Sequence, residues 1–255
     1  CLTGATLSLA RPEMAGPESV RLFADHGARA IGRVEMNEAL TLHGYWRSSA
    51  AYRVRIALNL KGLEYAQAPV HLVRDGGEQH RTEYLHTNPQ KLVPVLQHGQ
   101  RMVRQSLAII EYLDELWPDP PLLPLVARER ARVRALAQLV ACDIHPLNNL
   151  RVLQYLEREW NVPQPERDEW VRHWIVEGFL AFEAMLDEDL SRGEFCEGDT
   201  PGIAECCLVP QVYNARRFGV DLEPFPIIRS IEAACLALPA FDAARPERQP
   251  DAPVS

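Results

Sequence analysis

The chain has 255 residues, 47% of them hydrophobic, with a formal net charge of -8. That length supplies ample core for one large domain or two smaller ones. The acidic balance disfavours a dedicated nucleic-acid binder, which needs a basic face, and every apolar run falls far short of the roughly 20 residues that a membrane span requires. The six cysteines form no CxxC and no Cys/His spacing suited to zinc. They read as scattered reduced thiols of a cytosolic protein, and adjacent Cys206 and Cys207 point apart on one helix turn.

In chain order, residues 1–38 form an extension with scattered Gly and Pro and no sustained apolar period. It lacks a clear apolar region followed by a small-residue cleavage site, and it is expected to be poorly ordered, with Met36 a natural initiator. Thr41 to Trp46 reads as a strand. Ser48 and Ser49 open an apolar-periodic helix, and Gly62 stands where a C-capping glycine belongs. Glu64 to Leu72 reads as a second strand, and Val93–Gln97 and Arg101–Arg104 flank His98-Gly99 as a hairpin. A further helix begins at Ser106. Strand, helix, strand, a segment with a short helix, hairpin, helix is the order of a thioredoxin-like α/β domain, placed at 39–122. Trp117–Pro124, WPDPPLLP, cannot continue a helix and reads as a linker. An all-α domain follows at 126–250, with helices expected over 127–158, 166–190, 202–218 and 226–238.

Three places invite a ligand. Ser48 lies where a strand meets a helix N-terminus, whose free N–H groups and dipole favour an anion and lower a thiol pKa. Simple N-capping explains the same serine. Val93-Pro94 opens a strand where the thioredoxin fold places a cis proline, which turns the Val93 backbone towards a ligand groove; an ordinary trans proline at a strand edge is the alternative. Gln105-Ser106 marks a second helix N-terminus, either an anion site or a cap.

SSAAYRVRIALNLKG from Ser48, RDGGEQH from Arg74, NPQKLVPVL from Asn88, RQSLAIIEYLDE from Arg104, DIHPLNNLRVL from Asp143 and CLVPQVYNARRFGVDLEPFP from Cys207 stand in the order and spacing of zeta-class glutathione transferases. The chain resembles that family over about 210 residues. The resemblance implies an α/β thioredoxin-like N-terminal domain with an all-α C-terminal domain, glutathione as cofactor and a cytoplasmic homodimer. It implies cis–trans isomerisation of a maleyl-type dicarboxylic keto acid, maleylacetoacetate in tyrosine catabolism or maleylpyruvate, by reversible thiol addition to the double bond. A conjugating transferase or dehalogenase of small α-halo acids, and a non-enzymatic binding protein, are the alternatives. By the same resemblance Ser48 and Ser49 face the thiol. Gln79, Val93 with Pro94, Gln105 and Ser106 hold the glutathione backbone, and His145 and Asn149 approach it. Arg47 and Arg217 meet the dicarboxylate, with Arg216 as a substitute for the latter. His145 could equally be a helix-kink histidine beside Pro146, and the arginines a solvated face. Two departures stand out. Ala50 occupies the place of a common cysteine, which weakens the choice of substrate. Gly202-Ile203-Ala204-Glu205 replaces a Ser/Thr-x-x-Asp capping box, with Thr200 a candidate cap one turn earlier.

Overall fold

The computed structural model describes residues 38–188 and 192–253. The expected extension therefore lies outside the described residues, Glu38 excepted. Residues Ala39–Ser255 form one compact unit. Among the described residues no helix is long and apolar enough to cross a membrane.

Strand β1 (Leu40–Gly44) leads through Ser48 into α1 (Ser49–Leu60). β2 (Ala66–Pro69) follows, then two short 3-10 turns, α2 (Thr82–Thr87), β3 (Val95–His98), β4 (Arg101–Arg104) and α3 (Ser106–Leu116). The sheet order is β2-β1-β3-β4, with β1 parallel to β2 and antiparallel to β3. This is the thioredoxin-like arrangement expected. The second strand is shorter than expected because Pro69, which has no N–H to donate, ends it at the sheet edge.

The rest is helical: α4 (Ala127–Gln138), α5 (Leu150–Trp160), α6 (Gln164–Asp187), α7 (Ile203–Arg217), α8 (Pro226–Leu236) and α9 (Pro239–Ala244). The continuous helix expected over 127–158 is broken. A π-helical turn, Leu139–Ile144, and a 3-10 turn, His145–Asn148, separate α4 from α5. Pro146 lacks the N–H that an unbroken helix would need there.

Helix α1 is buried on all sides from Ala51 to Leu58. It packs against α3, α7 and α9, so Leu42, Leu96, Ile109, Ile110, Leu113 and the apolar face of α7 share one core with it. The burial is thus wider than a one-sided apolar period implies, and it takes in Arg53 and Arg55 as well.

The linker after α3 is pinned at both ends. Lys61 Nζ, its side chain fully buried, donates to Asp114 Oδ1 at 2.5 Å and to the carbonyls of Trp117 at 2.6 Å and Pro120 at 2.5 Å. Asp114 also accepts from Leu122 N at 2.7 Å. The Leu122 carbonyl in turn accepts from Ile203 N at 3.0 Å, at the start of α7. A Cβ on Gly202 would stand 2.6 Å from that carbonyl oxygen, so glycine permits this approach. Thr200 does not cap α7; the Glu205 carboxylate accepts from Gly202 N at 2.6 Å and from Cys196 N at 2.7 Å. That supplies half of the capping box from the acidic side.

Lys61→Met leaves the Asp114 carboxylate and two linker carbonyls without their cation. It is expected to destabilise the protein by about 3–5 kcal/mol, measurable as a lower urea midpoint at unchanged m.

Candidate active site

A cavity of about 350 Å³ opens beside the N-terminus of α1 and is lined from both the sheet-bearing and the helical parts of the chain. Of the residues singled out from sequence, Arg47, Ser48, Ser49, Gln79, Val93, His145, Asn149 and Arg217 line it together. Pro94 lies buried directly behind Val93. Gln105, Ser106 and Arg216 are not part of that lining.

Ser48 is both a cap and a wall of the cavity. Its Oγ accepts from Ala51 N at 3.2 Å, and its own N–H donates to Tyr45 O at 3.0 Å. The hydroxyl proton remains available to a ligand, beside the first-turn amides of Ser49 and Ala50, which have no intrahelical acceptor. The capping reading is thus seen directly, and it does not use up the hydroxyl proton. Ala50 is half-buried and does not line the cavity.

The opposite wall presents backbone and amide groups. The Val93-Pro94 bond is cis. Strand pairing begins only at Val95, so the polar groups of Val93 are not consumed by the sheet. Gln79 is 5% exposed; its Nε2 donates to Leu72 O at 3.1 Å, while Oε1 has no partner. Gly77 seats this amide: its φ is +101°, and a Cβ there would lie within 2.8 Å of three Gln79 atoms. Gln105 caps α3 at φ +72° and donates through Nε2 to Gln90 Oε1 at 2.9 Å, so it reaches the cavity only through Gln90.

The break between α4 and α5 delivers His145 and Asn149. π-Helical turns are frequent at functional sites because they displace the residues that follow. This one is pressed against α6, where Gly178 leaves room for Ile144: a Cβ at 178 would stand 2.2 Å from Ile144 Cδ1. Trp170 Nε1 fixes the next turn by donating to Leu147 O at 2.8 Å. Asn149 then caps α5, accepting from Arg151 N at 3.2 Å, and its Nδ2 lies 3.5 Å from His145 Nε2. Burial, with Arg53 and then Arg151 adding positive charge, pushes the His145 imidazole down to about 3. It is neutral across the physiological range.

Arg217 stacks over Phe218, 4.6 Å from the ring centroid, and donates to Asn214 Oδ1 at 3.2 Å. Burial and the nearby Arg47 both act to lower its pKa. Two guanidinium groups thus face one space, and an anion entering between them would favour the charge that burial and Arg47 disfavour on Arg217. Arg216 is instead tied to Glu232 on the outside of α7 and is no substitute for Arg217 in the cavity.

Sequence reasoning missed Tyr45, Gln90, Lys91, Asn148 and Arg151, all of which line the cavity. Lys91 sits in a loop at φ +58°, and Arg151 in a helix first turn. Neither position carries a periodic signal. Asn148 is 9% exposed and both its amide atoms lack partners, which marks a polar group awaiting a ligand. The lining holds Arg47, Lys91, Arg151 and Arg217 and no Asp or Glu. In a chain of net charge -8 this concentrates positive potential in one recess.

The five described cysteines are free, and none lines the cavity. Burial raises Cys206 well above its ordinary range and Cys207 to about 11, so neither is a reactive thiolate. Among the described residues, no thiol of the chain is placed to act as a nucleophile in this cavity.

The family model for the glutathione S-transferase N-terminal domain matches residues 42–121. A probable maleylacetoacetate isomerase of Vibrio cholerae is 53% identical over 214 residues, covering 84% of this chain and 99% of that protein. The holo structure of maleyl pyruvate isomerase, a bacterial zeta-class glutathione S-transferase, superposes with a TM-score of 0.81 at 49% identity, covering 84% of this chain and all of that one. The chain belongs to the zeta-class glutathione transferases. A further zeta-type structure, maleylacetoacetate isomerase from Anaeromyxobacter dehalogenans 2CP-1, is 44% identical with a TM-score of 0.76, covers 86% of this chain and 96% of its own, and holds dicarboxyethyl glutathione and citrate in its active site. The transferase fold accounts for the sheet followed by helices, and the unpartnered Gln79 Oε1 and Asn148 amide fit a peptide-like cofactor that brings both donors and acceptors.

Two outcomes are expected here. Gly178→Val should drive Ile144 out of place, cost about 1–3 kcal/mol in urea unfolding, and weaken glutathione binding through displacement of His145. The second concerns pH. The folded state holds His145 below its ordinary 6.5, at about 3, so its contribution to stability is complete above pH 6.5 and is lost as pH falls towards 3. The His145 ring resonances should therefore not titrate between pH 8 and 5, and His145→Gln should flatten the acid side of the stability curve. A His145 midpoint near 6.5 would contradict this burial.

Proposed function

We propose that the protein is a glutathione-dependent cis–trans isomerase of maleyl-type dicarboxylic keto acids. One observation carries the reading: a helix N-terminus bearing Ser48 and Ser49 opens into a cavity with four cationic side chains and no carboxylate. That combination suits a thiolate and a dianion at once.

Bound glutathione supplies a thiol that adds reversibly to the conjugated double bond, so that rotation becomes possible before elimination. The chain's own residues set the conditions. Ser48 Oγ–H and the first-turn amides of α1 donate to the sulfur and favour its anionic form. Gln79, Asn148 and the Val93 backbone hold the peptide part. Arg47 and Arg217 orient the carboxylates, and a guanidinium placed at the developing enolate stabilises its charge. His145 remains uncharged, so it adds no fixed cation beside the sulfur and keeps an Nε2 lone pair for hydrogen bonding.

Maleylacetoacetate is the proposed substrate, converted to fumarylacetoacetate in tyrosine catabolism in the cytoplasm. The 49% identity to a maleyl pyruvate isomerase favours maleylpyruvate as the second candidate. The paired arginines favour either diacid over a halo acid with one carboxylate. The working unit is proposed to be a homodimer, with domains at 39–122 and 126–250.

Purified protein given maleylacetone or maleylpyruvate and catalytic glutathione should isomerise many equivalents without net loss of thiol. Ser48→Ala and Arg217→Ala should each lower kcat/KM about 100-fold, the scale of losing one aimed donor at developing charge. No turnover, with glutathione shown to bind by calorimetry, would sink the isomerase and leave a conjugating transferase. Sedimentation giving a mass near 28.8 kDa would refute the dimer.

A further inference from the structure

Arg53 and Arg55 lie two residues apart on α1, each 2% exposed. Arg55 is fully answered: its nitrogens donate to the carbonyls of Ala244, Tyr45 and Trp46. Arg53 is not. Only its Nη1 has a partner, Ser106 Oγ at 3.1 Å, while Nε and Nη2 have none. Its charge is favoured only by the Cys207 and Cys142 thiols, and the Cys207 thiol, raised to about 11, is no anion at neutral pH. Buried cations are ordinarily paired.

What Arg53 touches explains this. Ser106 is the first residue of α3, an 11-residue helix whose free first-turn N–H groups carry the positive end of the dipole. A guanidinium behind a positive helix end is an electrostatically incomplete arrangement that an anion in front would complete. By occupying a lone pair of Ser106 Oγ, Arg53 also obliges the hydroxyl proton to point elsewhere, so that Ser106 acts as a donor.

We propose that Arg53 is a positioning residue of the glutathione site, which fixes Ser106 as an outward donor and supplies the buried charge that a ligand carboxylate at the α3 N-terminus neutralises. The proposal rests on the reading that the protein binds glutathione; the carboxylate concerned is that of the γ-glutamyl end. Arg53 does not touch the ligand. It acts through Ser106, from a place that the cavity lining does not include.

Calorimetric titration of the full chain with glutathione and with 4-aminobutyryl-cysteinyl-glycine, which lacks that carboxylate, isolates its contribution as a ratio of Kd values. The wild type should prefer glutathione by about 10-fold or more, as expected for a charge-assisted contact. Arg53→Met should abolish the preference, weakening glutathione about 10-fold while the analogue binds as before. In turnover the loss should fall on KM for glutathione more than on kcat, and Arg53→Lys should restore part of it. Ser106→Ala keeps the buried charge and removes only the hydroxyl, so it should reduce the ratio by a smaller factor. If Arg53→Met does not fold, Arg53→Lys, which keeps the charge but shifts the donor, decides the matter by lowering the ratio of the two Kd values or leaving it unchanged. An unchanged ratio in these variants, or equal weakening of both ligands, overturns the proposal in favour of a purely structural arginine. A wild type that binds both ligands equally overturns it while leaving the glutathione reading intact. A wild type that binds neither sinks that reading as well.

Discussion

Helix α1 has no solvent face between Ala51 and Leu58, so every polar group it carries must be answered from inside the protein. Arg55 answers to the carbonyls that follow β1 and end α9. Lys61, just past the C-terminus of α1, answers to the linker. Arg53 answers to α3, and only in part. Through these bonds one helix fixes the sheet, the linker, α3 and α9 relative to its own N-terminus. That N-terminus is the end at which the cavity lies. The chemistry therefore depends less on Ser48 by itself than on the rigidity with which its helix is held.

The parts of the structure that were legible in the sequence are those with a local cause. The N-cap serine, the Gly62 stop, the His98-Gly99 hairpin and the proline-rich linker each announce themselves through backbone chemistry. Motif spacing brought Ser48, Gln79, Val93, His145, Asn149 and Arg217 to one cavity although they are scattered over about 170 positions. What escaped has a tertiary cause. The π turn at Leu139–Ile144 is a compromise among Pro146, Trp170 and Gly178, which lie far apart in the sequence. The short β2 reflects its place at the sheet edge. Gly202 looked like a missing cap until the Leu122 carbonyl showed why no Cβ fits there. Gln105 and Ser106 stand outside the cavity lining, where Gln105 is bonded to Gln90 and Ser106 to Arg53, partners that only the fold brings to them.

Charge is distributed with a purpose in this protein. A surface of acidic balance surrounds a recess whose charged lining is entirely basic. Stacking on Trp46 and Phe218 holds Arg47 and Arg217 in place without carboxylate partners in the lining. Had either been paired internally, an incoming dianion would have had to displace that partner. Left unpaired, the two arginines repel one another in the free protein, and that repulsion is relieved on binding.

The linker has a consequence for how ligands come and go. Bonded to Lys61 and Asp114 on one side and to Ile203 on the other, it behaves as a clasp rather than a hinge. The sheet-bearing and helical halves cannot swing apart about it without breaking the bonds that Leu122 makes to Asp114 on one side and to Ile203 at the start of α7 on the other. The segment from Leu72 to Lys91, with two short 3-10 turns and the positive-φ Gly76 and Gly77, forms a wall of the cavity that is not tied into this clasp.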